Sequence, residues 1–417
     1  MSASRKIRRR RPPWTRLAIC TAVGLLLGWQ IVAAGLSSRM IAKERFAAAS
    51  LLAPWSARAL GRDAAAGLLA NPEQAAARAR AGLKVAPLDA VAIRTLALAS
   101  ESRGKAADSF ALMTAAGALG WRDEITQLWL YDRALQSGEV DVAMQRADAL
   151  LRLNAMPAEF FVILRDLSRR DAANAALARQ LSEAPPWRAA FFAGAAKLRP
   201  EELPAQERLL VRLASTRAPP SPAELRGFLS RAATVEGYAK AHALWIRFGG
   251  NPLLHDGGFE NSADVIASRG SGPFEWRTRN VRGLSIGVEQ PNPPFSGKAL
   301  SLRTDDLPPG LVLSQNLLLP AGRYSLSFAA RRNSGSLAGL EWHIACAGGI
   351  GAGQRIDFPA TRSREGGWSV MTGSFEIPAS NCAVQQIGLR SNDHLERATD
   401  LFLDDIAIRP LSRAGRK

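Results

Sequence analysis

The 417-residue chain has little of what most catalytic or metal-binding proteins use. It holds three cysteines and four histidines, too few for a multi-ligand zinc site. It has no phosphate-binding glycine loop and no HExxH helix, so the usual sequence marks of nucleotide-dependent and metalloprotease chemistry are missing. Acidic pairs such as Glu201-Glu202 and Asp305-Asp306 are adjacent in sequence. Glycoside hydrolysis instead needs two carboxyls facing each other across a cleft. The expectation is a noncatalytic protein. Acidic residues are also short, 37 against 54 Lys and Arg, for a net charge of +17. Nucleic-acid binding is the usual reading of such a balance, but the distribution argues against it. Arg5, Lys6, Arg8, Arg9, Arg10, Arg11 and Arg16 crowd one end without an acid, leaving about +10 spread thinly over the rest.

What is present falls into five segments. Residues 1–16 form a basic tail. Residues 17–38 carry no charge, and Leu17–Leu36 is a 20-residue apolar run that as a helix spans the roughly 30 Å hydrocarbon core of a bilayer. The basic tail should stay in the cytoplasm and the rest should cross. This predicts a single-pass bacterial inner-membrane protein with most of its chain in the periplasm. A cleaved signal peptide, with Ala33-Ala34-Gly35 near the cut, is the alternative. It exports the same residues.

Residues 41–248 are rich in Ala, Leu and Arg, which favours helix. Breakers at Asn71-Pro72, Pro87, Gly104, Gly120, Gly138, Pro157, Pro185-Pro186, Pro200 and Pro219-Pro220 leave segments suited to antiparallel pairs. Gly104 and Gly138 lie 34 residues apart, as do Leu96 and Leu130, and Ala75, Ala79, Gly82 and Pro87 have the spacing of small residues at a helix crossing followed by a closing proline. Over about residues 60–157 the chain resembles tetratricopeptide repeats. The resemblance implies an α-helical solenoid that docks partner proteins of the envelope. Ser221-Pro222-Ala223-Glu224 marks a helix start with a capping box.

After Asn251 the pattern changes to short alternating runs: Lys298–Arg303, Arg323–Ala329, Gly339–Ile344, Ser369–Ile377, Ala383–Leu389 and Leu401–Ile408. Strands without intervening helices predict an antiparallel sandwich or jelly roll over 251–410, ahead of a short basic tail at 411–417. Cys346 and Cys382 lie in this exported region. Cys20 lies in the membrane segment, so the other two are the natural disulfide partners. Two buried thiols are the alternative.

NPLLHDGGFE (251–260), Trp276, FSGKALSLR, GRYSLSFAAR, GGWSVMTGSFEIP and FLDDIAI together resemble carbohydrate-binding modules of the galactose-binding jelly-roll fold. The resemblance implies glycan binding and a structural calcium held by Glu260 and Asp404, with Asp405 as alternate and carbonyls near Gly258 and in 296–298 completing the shell. It assigns Trp276 and Trp368 to packing. On the strand around Trp342, Glu341 and His343 share one face and Trp342 takes the other. If the concave face binds ligand, Trp342, His343, Glu341, Arg331 and Asn333 are the candidates. The combination predicts an anchored periplasmic protein that binds polysaccharide and scaffolds its assembly or export. The alternative is a pure protein-interaction scaffold without sugar binding.

Overall fold

The structure is a computed structural model that describes residues 13–263, 266, 271–291, 297–334, 339–347, 353–395 and 398–411. The basic tail through residue 12, the carbonyl of Ser296 and the tail from 412 onward lie outside the described residues. The chain forms two compact units, Met1–Gln180 and Leu181–Lys417. The division falls within the stretch 41–248.

The first unit is helical. Its elements are α1 (Pro13–Ala42), α2 (Phe46–Leu52), α3 (Ala57–Ala66), α4 (Pro72–Val85), α5 (Ala90–Glu101), α6 (Ala106–Leu119), α7 (Glu124–Ser137), α8 (Val140–Arg152) and α9 (Pro157–Leu167), with α10 (Asp171–Ser182) reaching the boundary. Within α1, Leu17–Ala42 is long and apolar enough to cross a membrane. The breakers read from the sequence become helix ends. The Asn71 side chain accepts from Gln74 N at 2.9 Å with Pro72 at the first helical position. Asp89 caps α5 through Ala92 N at 2.9 Å, and Gly138 ends α7 at φ 78°, in the left-handed region that glycine adopts without a steric penalty.

Helices α3 to α8 pack largely on their chain neighbours. Small residues set the spacing. Ala64, Ala76, Ala79, Ala92, Leu96 and Ala99 form one buried cluster. A Cβ on Gly82 would stand 3.4 Å from Leu60 Cβ and 3.9 Å from Gly61 N, so α3 and α4 meet almost backbone to backbone. Such close approach gains dispersion energy over many contacts but leaves no room for a larger side chain.

The second unit begins with the end of α10 and adds α11 (Arg188–Ala193), α12 (Leu203–Ala214), α13 (Pro222–Val235) and α14 (Tyr238–Arg247). One buried arginine holds these helices. Arg188 donates to both carboxylate oxygens of Glu224, at 2.7 and 2.8 Å, and to the carbonyls of Leu181, Ala218 and Pro219. Glu224 also accepts from Ser221 N at 2.9 Å, completing the capping box of α13. A buried charge fully supplied with partners is tolerated, whereas one that loses its partner is costly.

The rest of this unit is an antiparallel sandwich. Its strands are β1 (Arg277–Thr278), β2 (Leu284–Glu289), β3 (Ala299–Thr304), β4 (Gly310–Leu317), β5 (Gly322–Ser334), β6 (Leu340–Cys346), β7 (Gln354–Arg355), β8 (Ala360–Ser363), β9 (Trp368–Ile377), β10 (Gln385–Ser391) and β11 (Thr399–Pro410). A five-stranded sheet runs β1-β4-β10-β6-β7, and a six-stranded sheet runs β2-β3-β11-β5-β9-β8. Alternate residues of each strand point between the sheets, where Trp276, Trp342, Phe328, Leu302, Leu389 and Leu403 are part of one core. Cys346 and Cys382 are joined by a disulfide.

Candidate functional site

The residues expected to bind a ligand do not share one surface. Trp342 is only 2% exposed. Its ring centroid lies 6.4 Å from that of Trp276 and 5.7 Å from that of Phe328, inside the core. This corrects its place among the candidate ligand-binding residues: strand alternation turns it inward and leaves no face for a sugar. Glu341 and His343 point the other way, onto the outer face of the five-stranded sheet, 3.3 Å apart. Arg355 pairs with Glu341 at 2.6 Å, and Asn392 also donates to it. His343 Nδ1 is buried and has no partner among the described residues. Arg331 and Asn333 belong to the other sheet. The Arg331 guanidinium lies over the rings of Trp368 and Phe402, at 5.9 and 5.2 Å, and its Nη2 donates to Asn333 at 3.4 Å. Trp368 is buried in a small cluster with Ala299, Ala329 and Phe402, a packing role like that of Trp276.

The two acids of LDDI are separated by an irregularity in β11. Its register to β5 shifts between Asp404 and Ala407, and Asp405 takes φ 50°. A bulge of this kind re-aims side chains. Asp404 is buried, and its Oδ1 accepts from Asp405 N at 2.7 Å. Burial raises its pKa to about 7, and the nearby carboxylates of Asp405 and Glu260 add to the rise. A Cβ on Gly258 would lie 3.6 Å from Asp404 Oδ1. Glu260 Oε1 accepts from Lys298 N at 2.9 Å, and Lys298 Nζ sits 3.0 Å from the Glu260 carbonyl. Asp405 points outward and pairs with Arg364 at 2.8 Å. The expected metal set therefore splits. Glu260 and Asp404 approach each other, while Asp405 turns to an arginine. Among the described residues no group of three or more His, Cys, Asp or Glu side chains comes together to hold a metal.

The large open concavity of the sandwich lies on the outer face of the six-stranded sheet. It is a cleft of about 1160 Å³, floored by β5, β9 and β11 and walled by β8 and by residues 251–258. Backbone packing shapes the wall. Ile406 N donates to Gly257 O at 2.9 Å, and any side chain at Gly257 would run into the Ile406 carbonyl. The polar groups facing the cleft include Ser327, Thr372, Arg362, Arg364, Arg409 and Asp405. Asp256, also on the wall, is held by Asn261 N and Ser262 Oγ. Arg364 is paired with Asp405, whereas Arg362 and Arg409 are exposed and make no ion pair among the described residues. Sequence reading missed this set. Arg362 and Arg409 lie far apart in the chain, and only the order β11-β5-β9-β8 brings them to one face.

No protein-family model matches the chain, and no curated protein matches it. Among solved structures, one similarity is to a family 4 carbohydrate-binding module, at 18% identity over 33% of this chain and 88% of that one, TM-score 0.24. Another is to the xylan-binding family 22 module of Paenibacillus barcinonensis Xyn10C, at 17% identity over 40% of this chain and 98% of that one, TM-score 0.27. A third is to the family 61 module TmCBM61, solved with β-1,4-galactotriose, at 17% identity over 39% of this chain and all of that one, TM-score 0.25.

Proposed function

We propose that this is a noncatalytic protein anchored in a bacterial inner membrane by α1. In this reading its periplasmic sandwich binds an acidic polysaccharide and its helices, as tetratricopeptide-like hairpins, dock partners in surface-polysaccharide assembly or export. The observation that carries the glycan half is the cleft on the six-stranded sheet. It is open to solvent, as a polymer chain requires. It offers hydroxyls at Ser327 and Thr372 and two exposed arginines, Arg362 and Arg409, without ion pairs among the described residues. Arginine suits carboxylate and sulfate groups because its planar fork donates two parallel hydrogen bonds. The Glu341–His343–Arg355 cluster is the weaker candidate, since its carboxylate is already taken by three side chains.

Calcium enters as a structural ion. Glu260 and Asp404 would hold it with backbone carbonyls, and it would supply the positive charge that two facing carboxylates lack. Asp405 is outside this set.

The test is titration of the folded protein with alginate, a polyuronate, and with dextran, a neutral glucan. Alginate should bind and added salt should weaken the binding. Arg362→Ala with Arg409→Ala should reduce affinity about tenfold or more, the loss of two charge-assisted contacts. Glu341→Gln should leave it unchanged. A folded protein that binds neither polymer, yet still retains partner proteins, would instead be a pure interaction scaffold.

A further inference from the structure

One edge of the first helical unit carries a row of exposed apolar side chains, and the row begins at the end of α1. Consecutive contacts place the members together. Ser37 Oγ of α1 donates to Ala49 O of α2 at 3.1 Å, and Ser50 bonds Asp63 of α3 at 2.9 Å. Gly61 lies against the Asp89 carboxylate in the α4–α5 loop. Arg94 pairs with Asp123 in the α6–α7 loop. Gln127 donates to Gly120 O and accepts from Arg146 of α8. Because the helices alternate in direction, the α2–α3, α4–α5, α6–α7 and α8–α9 loops all fall at this edge. It exposes Leu51, Trp55, Leu88, Trp121, Ile125 and Met156, with Leu51 83% and Leu88 75% accessible. Of the loops at the opposite edge, those at 102–105, 137–139 and 168–170 are polar, while the one at 67–71 carries half-buried Leu68 and exposed Leu69 and Ala70.

Apolar loops in a row call for a partner. Two observations identify it. The first is continuity with the apolar helix. Ala33 and Ser37 of α1 are buried among the described residues, and Ala33 is about 4.5 Å along the helix axis from Leu36, the last residue of the apolar run. The start of the row therefore lies level with the outer end of the span. The second is composition. Tryptophans at 55 and 121 on the same edge as exposed Lys84 and Arg122 are the chemistry of a membrane interface, where indole sits at headgroup depth and basic groups meet anionic lipid.

We propose that this edge lies on the lipid surface, so that the helical unit rests on the bilayer along its α2–α3, α4–α5, α6–α7 and α8–α9 loops. The proposal rests on α1 being the anchor. It adds that the helices are held against the membrane and do not project from it.

The test is fluorescence quenching of the full chain in vesicles of phosphatidylethanolamine and phosphatidylglycerol containing brominated acyl chains. A fluorophore on native Cys20 reports α1. In a Cys20→Ser background, labels on Leu88→Cys and Trp121→Cys report the edge, and a label on Leu69→Cys reports the opposite loops. All three replaced positions are exposed, and circular dichroism checks that each variant folds. The expected result is loss of emission at positions 20, 88 and 121 but not at 69. Quenching at 20, with 88 and 121 open to aqueous iodide, would overturn the edge proposal and leave the anchor standing. Shielding of 88 and 121 from both bromine and iodide would mean a protein covers the edge, which also overturns it. Quenching at 69 equal to that at 88 would remove the orientation the proposal asserts. No quenching at 20 would remove the anchor and the edge proposal with it.

Discussion

The two units are stabilised in opposite ways. In the helical unit, the cluster around Ala76, Ala79 and Ala92 is made of side chains too small to bury much area individually. Its stability comes from close backbone approach and from polar ties such as Arg94–Asp123 between successive hairpins. In the sandwich, the core is built from Trp276, Trp342, Phe328 and large aliphatics contributed by strands distant in sequence. Stacked hairpins form from local contacts, whereas a sandwich needs non-local pairing before its core exists. The first unit should therefore be damaged mainly by adding bulk, and the second mainly by removing it.

That contrast can be broken experimentally, beginning with the largest effect. Trp342→Ala should cost the second unit about 3–5 kcal/mol, read as a shift in its denaturant midpoint, and should leave the first unit unmoved. A loss below about 1 kcal/mol would mean that the ring is not a core residue. Arg188→Ala should cost a similar amount, about 3–5 kcal/mol, because Glu224 is left buried without its cation. Arg188→Ala with Glu224→Ala should recover part of it. Gly82→Leu should cost about 1–3 kcal/mol by overpacking α3 against α4, while the smaller Gly82→Ala change should cost less. Equal tolerance of leucine and alanine there would end the distinction between the two units.

The smallest effect concerns pH. Burial lowers the pKa of both His242 and His255. Both rings lie against aromatic neighbours: His242 against Phe274, His255 against Trp245. A histidine held neutral in the folded state binds its proton more readily once unfolded. The second unit should keep its full stability above the ordinary histidine pKa of about 6.5 and lose some of it as pH falls below that value. His255→Gln should flatten the slope in a series of denaturant titrations across this range.

The sequence carried unequal amounts of this. Alternation located β3, β5, β6, β9, β10 and β11 because those strands show inward and outward residues of contrasting polarity. It missed β4, whose Ser314, Gln315 and Asn316 are polar yet buried. Gln315 exchanges hydrogen bonds with the backbone of His255, and Asn316 donates to Pro273 O. Polarity does not mark burial when a partner is supplied from far along the chain. Alternation also placed Trp342 opposite Glu341 and His343, but it does not say which side faces the core. The parting of Asp404 from Asp405 depends on a bulge, and the pairing of Arg362 with Arg409 across one cleft depends on strand order. Neither is a local property of the residues concerned.

The Cys346–Cys382 bond closes a ring through the sandwich. Between the two cysteines the chain leaves the five-stranded sheet after β7 and joins the six-stranded sheet as β8 and β9. A protease that cuts once anywhere in this loop therefore releases nothing. The fragments migrate as one species until a thiol is added, so a preparation that looks intact on a nonreducing gel can consist of two-chain molecules.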